Sequence, residues 1–213
     1  MLKVYYVLDP MCSWCWAFRN SWLNLLEVMP DDVEVKYVLG GLAPDSDAPM
    51  PTEMRQTLQQ VWAAISARTG TEFNMDFWAE NTPRRSTYPA CRAVIAASRM
   101  QPGALPDMVY AIQQAYYLKA RNPSDPEVLA ECARSIGLDT GEFLQELTSD
   151  NVDRDFQNNL QLSRLMGVQG FPAVVAVLQE EGQPKPAYYP VVLGYCDPDT
   201  LVSNWNSHFS PAA

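Results

Sequence analysis

Two cysteines separated by two residues, Cys12-Ser13-Trp14-Cys15, are the side chains in this sequence best suited to covalent chemistry. The apolar run Val4-Tyr5-Tyr6-Val7-Leu8 precedes them and reads as a buried strand. Phe18, Trp22, Leu25, Leu26 and Met29 follow at helical spacing. The pair therefore stands where a strand hands over to a helix. The first N–H groups of a helix lack partners within it, and its dipole places partial positive charge there, so a thiolate is stabilised at that position. Two intervening residues let the second sulfur close on the first. The chemistry this serves is thiol–disulfide exchange. Cys12, at the exposed opening, is expected to attack; Cys15, one turn in, is expected to be kept protonated by burial until it resolves the mixed disulfide.

Half of a zinc site is another use for such a pair, but zinc usually takes four ligands. A second close cysteine pair is absent, and the only histidine, His208, is near the C-terminus on the solvated side of a last helix. Cys91 and Cys132 fall on predicted helices and read as buried, inert thiols. Cys196 begins a helix and reads as structural. Trp14, between the two cysteines, is expected to be exposed to substrate, whereas Trp16 and Phe18 are expected to pack inward. Asp9, three residues before Cys12, reads as a turn or capping residue, with proton transfer as its alternative role. Arg84-Arg85 reads as a solvated pair, with an anion such as glutathione as the alternative occupant.

The elements that position this pair follow from the rest of the chain. It has 213 residues, enough for one large domain or two modest ones. No apolar run reaches the length of a membrane span. The net charge of −10 argues against a nucleic-acid partner, because phosphate binding needs a basic surface. Five cysteines are an odd and sparse set, unlike a disulfide-stapled secreted fold. One active pair with three free thiols fits a reducing compartment. Met1-Leu2-Lys3-Val4 leads straight into the first strand without room for a signal peptide, so a cytoplasmic location is expected. No cofactor or metal is called for.

Strands are expected at 2–8 and 33–39, flanking a helix at 12–29, as a parallel pair with a right-handed crossover. Ala43 to Pro51 reads as a linker. Helices are expected near 52–69, 73–80, 88–101, 104–120, 126–137 and 140–149, with Thr52 and Ser124 or Asp125 as N-caps. A further helix spans 151–166, with Gly167 ending it. Strands follow at 173–178 and 187–193, joined by a turn at 180–183. Pro190 marks the last strand as an edge or a bulge. A last helix spans 198–209. The order is β-α-β, a helical block, then α-β-β-α. It describes one α/β domain formed by 1–42 and 151–213, with an all-helical domain, 43–150, inserted.

This order, with Cys-x-x-Cys opening the first helix and Gly167-Val168-Gln169-Gly170-Phe171-Pro172 entering the third strand, resembles the DsbA-like thiol–disulfide oxidoreductases of the thioredoxin superfamily. The resemblance covers essentially the whole chain. Ser86-Thr87-Tyr88-Pro89-Ala90-Cys91-Arg92-Ala93 also looks like the insert of the predicted cytoplasmic protein-disulfide isomerases of that group. The resemblance implies a thioredoxin-like fold with an inserted helical domain and catalysis by Cys12 and Cys15. It also implies a cis bond between Phe171 and Pro172, and substrate contacts from Trp14, Phe171 and Pro172. The implied partners are protein or peptide disulfides, with glutathione as a further candidate and neither nucleic acid nor membrane.

Two departures bear on the direction of the reaction. Strongly oxidising members carry Pro-His between the cysteines; Ser13-Trp14 stands there here. The superfamily often buries an acid beneath the disulfide from its first strand, and Val4 to Leu8 contains none. In a cytoplasm poised at roughly −220 to −320 mV the pair is expected to be held reduced, so reduction or isomerisation is favoured over net oxidation. Two other readings share the fold. The glutathione-dependent kappa-class transferases and 2-hydroxychromene-2-carboxylate isomerases typically have one reactive residue where this chain has two cysteines, so Cys15 speaks against them. The other is a non-catalytic peptide-binding chaperone or adaptor that uses the groove beside Pro172.

Overall fold

The structure is a computed structural model that describes residues 2–179 and 186–209. Four strands form one sheet in the order β2-β1-β3-β4. β1 (Leu2–Leu8) runs parallel to β2 (Glu34–Leu39) and antiparallel to β3 (Ala173–Leu178), which pairs antiparallel with β4 (Ala187–Leu193). β1 and β3 are central and covered on both faces, which is why they read as nearly continuous apolar runs. Val4, Tyr6 and Leu8 of β1, with Val174 and Ala176 of β3, face the main core. Val7, Val38, Val175 and Val177 face the opposite side, where Leu162 and Met166 cover them.

α1 (Ser13–Val28) lies on the main-core face and buries Cys15, Phe18, Ser21, Trp22 and Leu25, an apolar stripe at helical spacing. α9 (Pro198–Phe209) packs beside it through Leu201 and Trp205. Between β2 and β3 the chain forms α2 (Thr52–Thr69), α3 (Phe77–Glu80), α4 (Tyr88–Met100), α5 (Leu105–Tyr117), α6 (Pro126–Ser135), α7 (Thr140–Leu147) and α8 (Asp150–Leu165). The segment 43–150 contains no strand among the described residues, only an isolated bridge between Pro49 and Arg84. Fully buried Ala90, Cys91, Ala93, Ala96 and Ala97 make α4 slim enough for α5, α7 and α8 to pack around it. Trp62 of α2 gathers Phe73, Phe77, Trp78, Tyr116 and Tyr117 around its ring, with centroids 4.8–5.7 Å away.

Several expected boundaries are corrected. The helix expected at 73–80 is only Phe77–Glu80. Asn74 is pinned to the end of α5, its N–H donating to the Tyr117 carbonyl at 2.6 Å and its amide to that of Leu118. α5 stops at Tyr117 rather than 120, and Ala120 adopts a left-handed conformation with φ of 52°. Thr52 is the first helical residue of α2, so Pro51 stands at the cap. Asp125 does cap α6, but its carboxylate makes no cap hydrogen bond and pairs with Arg84. The turn expected at 180–183 lies outside the described residues.

Both sheet edges carry distinctive chemistry. On β2, Glu34 is bridged by Lys3 at 2.8 Å and by Lys36 at 2.5 Å, and the Leu39 N–H donates to Asn159 Oδ1 at 2.9 Å. On β4, Pro190 pairs opposite Val175 beside a register shift at Val174/Val175.

Candidate active site

The chain leaves β1 at Leu8, and Asp9 turns it into α1. The Asp9 carbonyl accepts from Cys12 N–H at 3.0 Å, and its Oδ1 accepts from Met11 N–H at 2.7 Å. Oδ2 accepts from Leu42 N–H at 2.7 Å and from the Thr87 hydroxyl at 2.6 Å, with Cys91 Sγ at 3.6 Å. Asp9 is fully buried. Burial raises its carboxyl above the usual carboxylate range, while the bonds from Thr87, Leu42 and Met11 pull it down. The carboxylate thus faces Leu42 and α4, which is the turn role expected of it.

Cys12 occupies the N-cap of α1 with φ −82° and ψ 116°, and its side chain makes no cap hydrogen bond. Its Sγ instead donates to the Phe171 carbonyl at 3.6 Å. Cys15 sits behind it, fully buried. Burial pushes the Cys15 thiol well up, the Cys12 sulfur beside it adds to this, and a hydrogen bond from the Asp9 backbone opposes it. Both cysteines are free thiols. The expectation that Cys12 lies at an exposed opening is corrected: only 6% of it is accessible, because the Phe171 main chain lies against its sulfur.

The Phe171–Pro172 peptide bond is cis. Pro172 is buried, and its carbonyl accepts from Gly194 N–H at 2.7 Å. The Phe171 ring lies over Gly40 at the end of β2, so close that a Cβ there would overlap it. Beside this loop, Gly167, Gln169, Gly170, Phe171, Leu193 and Gly194 line a surface concavity of about 510 Å³.

Trp14 is half-buried rather than exposed. Its ring centroid is 5.4 Å from that of Tyr195, and the Arg68 guanidinium lies 5.4 Å from each ring. Trp16 is also half-buried, stacked on Tyr117 and Tyr110 with its indole N–H donating to the Glu72 carbonyl at 3.0 Å; Phe18 is fully buried. Cys91 and Cys132 are buried as expected, and burial pushes Cys132 up to about 11. Cys196 is half-buried and His208 exposed. Arg84 is held by Asp125 and the Ser124 carbonyl, so it is no free anion site. No cluster among the described residues could hold a metal ion.

The fold thus brings Cys12, Cys15, Phe171 and Pro172 together, with Trp14 alongside. Sequence reasoning missed Thr87, Cys91 and Gly40 as neighbours of this site. Thr87 and Cys91 lay inside a segment singled out for its resemblance, and Gly40 was read only as a strand terminator.

Residues 5–185 match the family model described as Thioredoxin, and the chain belongs to that family. Its fold is the one shared with DsbA-like thiol–disulfide oxidoreductases. A candidate protein disulfide isomerase from Nitrosomonas europaea superposes with a TM-score of 0.83 and 25% identity, over 97% of this chain and 96% of its own. The cytosolic disulfide reductase DsbM from Pseudomonas aeruginosa superposes with a TM-score of 0.74 and 24% identity, over 97% and 98%. Among curated proteins, the ClpXP adapter protein SpxH of Halalkalibacterium halodurans is 26% identical over 196 residues, 89% of this chain and 64% of the relative. SpxH of Bacillus subtilis is 25% identical over 197 residues, 88% and 63%. The chain therefore spans less than two thirds of the length of these curated relatives. No helix among the described residues is long and apolar enough to cross a membrane.

Proposed function

We propose that the protein reduces or isomerises disulfides of protein or peptide substrates in the cytoplasm, using Cys12 and Cys15 as its redox pair. The observation that carries this reading is the placement of two free thiols at the start of α1, one against the Phe171 main chain and one buried behind it. The Cys12 thiolate attacks a substrate disulfide. One substrate sulfur leaves as a thiolate and takes a proton from solvent, and the other stays bonded to Cys12. Cys15 then loses its proton and attacks Cys12 Sγ. The Cys12–substrate bond breaks, the second substrate thiol departs, and the pair is left as a disulfide. Two electrons have passed from the pair to the substrate, and an external thiol must restore them. Glutathione is a suitable class of reductant; DsbM has been solved with GSH.

An extended substrate fits the concavity between the 167–171 loop and Leu193, its backbone beside Phe171, with Trp14 near Cys12 rather than lining that concavity. In this reading 1–42 and 151–213 form the thioredoxin-like domain and 43–150 the helical insertion.

The matches to SpxH favour a second reading, in which the same groove holds a protein for delivery rather than for chemistry. Reduction of insulin in the presence of a small thiol separates the two. The wild type is expected to accelerate it, and Cys12→Ser to abolish the acceleration. Cys15→Ser is expected to accumulate a stable mixed disulfide through Cys12. A wild-type protein that adds nothing to the small thiol's own rate would leave the adapter reading standing and sink the catalytic one.

A further inference from the structure

On the side of Cys15 away from Phe171, a cavity of about 50 Å³ lies between α1 and α5. Its floor is Cys15, Tyr6, Trp22 and Gln113; its mouth is formed by Arg19, exposed Leu23 and exposed Pro106. Tyr6 is 4% exposed and Gln113 2% exposed. Among the described residues, neither the Tyr6 hydroxyl nor the Gln113 amide has a hydrogen-bond partner, and both line this cavity. Neither group is sealed, unlike the Trp78 indole N–H and the Tyr117 hydroxyl, so water in the cavity is what satisfies them. The space is large enough for a water molecule and supplies the polar partners that one needs. Arg19 stands at the mouth with its guanidinium 3.9 Å from the Tyr110 ring centroid, leaving the passage lined by cation and phenol rather than by a carboxylate.

We propose that this cavity is a proton exit for Cys15, with Tyr6 and Gln113 holding the water that receives the proton. The proposal deepens the redox-pair reading above and rests on it. It supplies what β1 lacks, a proton acceptor for a thiol sealed from the substrate side. During resolution the Cys15 S–H bond breaks, its proton passes to the cavity water and out past Arg19 and Leu23, and the sulfur electron pair forms the bond to Cys12. The departing substrate thiolate takes its proton from bulk solvent. Asp9 does not line this cavity; its carboxylate faces Met11, Leu42, Thr87 and Cys91 instead. The other titratable or charged groups near Cys15 are Cys12 at the N-cap of α1, on the Phe171 side, Arg19 on α1, Tyr37 on β2, and Tyr110 and the buried Tyr117 hydroxyl on α5.

The two steps can be timed separately with dithiobis-nitrobenzoate, in a Cys196→Ser background so that the half-exposed thiol does not react. Attack by Cys12 releases one coloured thiolate, and resolution by Cys15 releases the second. Gln113→Leu and Tyr6→Phe remove the water's holders, and Leu23→Trp plugs the mouth from an exposed position. Each is expected to leave the first release unchanged and to slow the second near neutral pH by about tenfold, part of what a proton-transfer step contributes. The slowing should vanish at alkaline pH, where hydroxide removes the proton directly. A second release that keeps its wild-type rate and pH profile in all three variants overturns the proposal. Equal slowing at every pH marks a packing effect and also overturns it. Absence of the first release in the parent protein overturns the redox-pair reading itself, a distinct failure.

Discussion

Asp9 joins three stretches of chain through one carboxylate. Its oxygens take N–H bonds from Met11 and Leu42 and the hydroxyl bond from Thr87, tying the turn before α1 to the end of β2 and to the start of α4. All of these partners are donors, so an amide in its place must turn an NH2 group toward one of them. Asp9→Asn is therefore expected to destabilise the reduced protein by about 1–3 kcal/mol, the cost of a buried donor left without its acceptor. The urea midpoint at neutral pH measures it. A midpoint unchanged from wild type would show that the junction is held by packing alone. None of this was readable from Asp9 itself. Its three-residue offset from Cys12 suggested a turn, but Thr87 is 78 positions away and only the tertiary fold brings it close.

The loop entering β3 and the end of β2 fit together as a ring on a bare backbone. Phe171 lies over Gly40, whose N–H is held by the Leu8 carbonyl at 2.8 Å, so neither strand end can retreat. Gly40→Ala is expected to displace the Phe171 ring and loosen its main chain from Cys12. The expected cost is about 1–3 kcal/mol of stability, typical of overpacking, together with slower insulin reduction. Adding Phe171→Ala should recover most of the stability but not the activity, and a double-mutant cycle by urea unfolding reads the coupling. Additive effects would show that the two do not touch in solution. The elements themselves were largely legible. β1, α2, β3, β4 and α9 fall where alternation and helical periodicity place them, because their burial follows the local pattern. α3 was misjudged because the pinning of Asn74 onto the end of α5 is invisible to any local window. The cysteine pair was legible from its spacing; the covering of Cys12 was not, because the residue that covers it comes 159 positions later.

Over the whole molecule, burial keeps several acidic protons on the folded chain. Cys15 and Cys91 are pushed well above the ordinary thiol range by desolvation, Cys132 to about 11 by the same cause, and the Tyr6 and Tyr117 phenols are raised likewise. The unfolded chain gives up its thiol protons near pH ~8.5 and its phenol protons near pH ~10. Between those values and the raised ones the folded state binds more protons, so stability falls as pH rises. It is fully present below the unfolded values. Urea midpoints are therefore expected to decline from about pH 8 to about pH 11, more steeply than neutral-side data would extrapolate. Cys91→Ala should flatten that slope even though it lowers the midpoint throughout; an unchanged slope would show that Cys91 ionises as easily folded as unfolded. The two guarded edges of the sheet bear on a different hazard. A sheet ends in rows of unused backbone donors and acceptors that invite a neighbouring chain to continue it. Here one rim presents Lys36 and Glu34 and gives its Leu39 N–H to Asn159, while the other is interrupted by Pro190 and a register break. Such rims discourage copies of this chain from zipping into fibrils when crowded, so a folded copy is ill suited to seed a stack of its own kind.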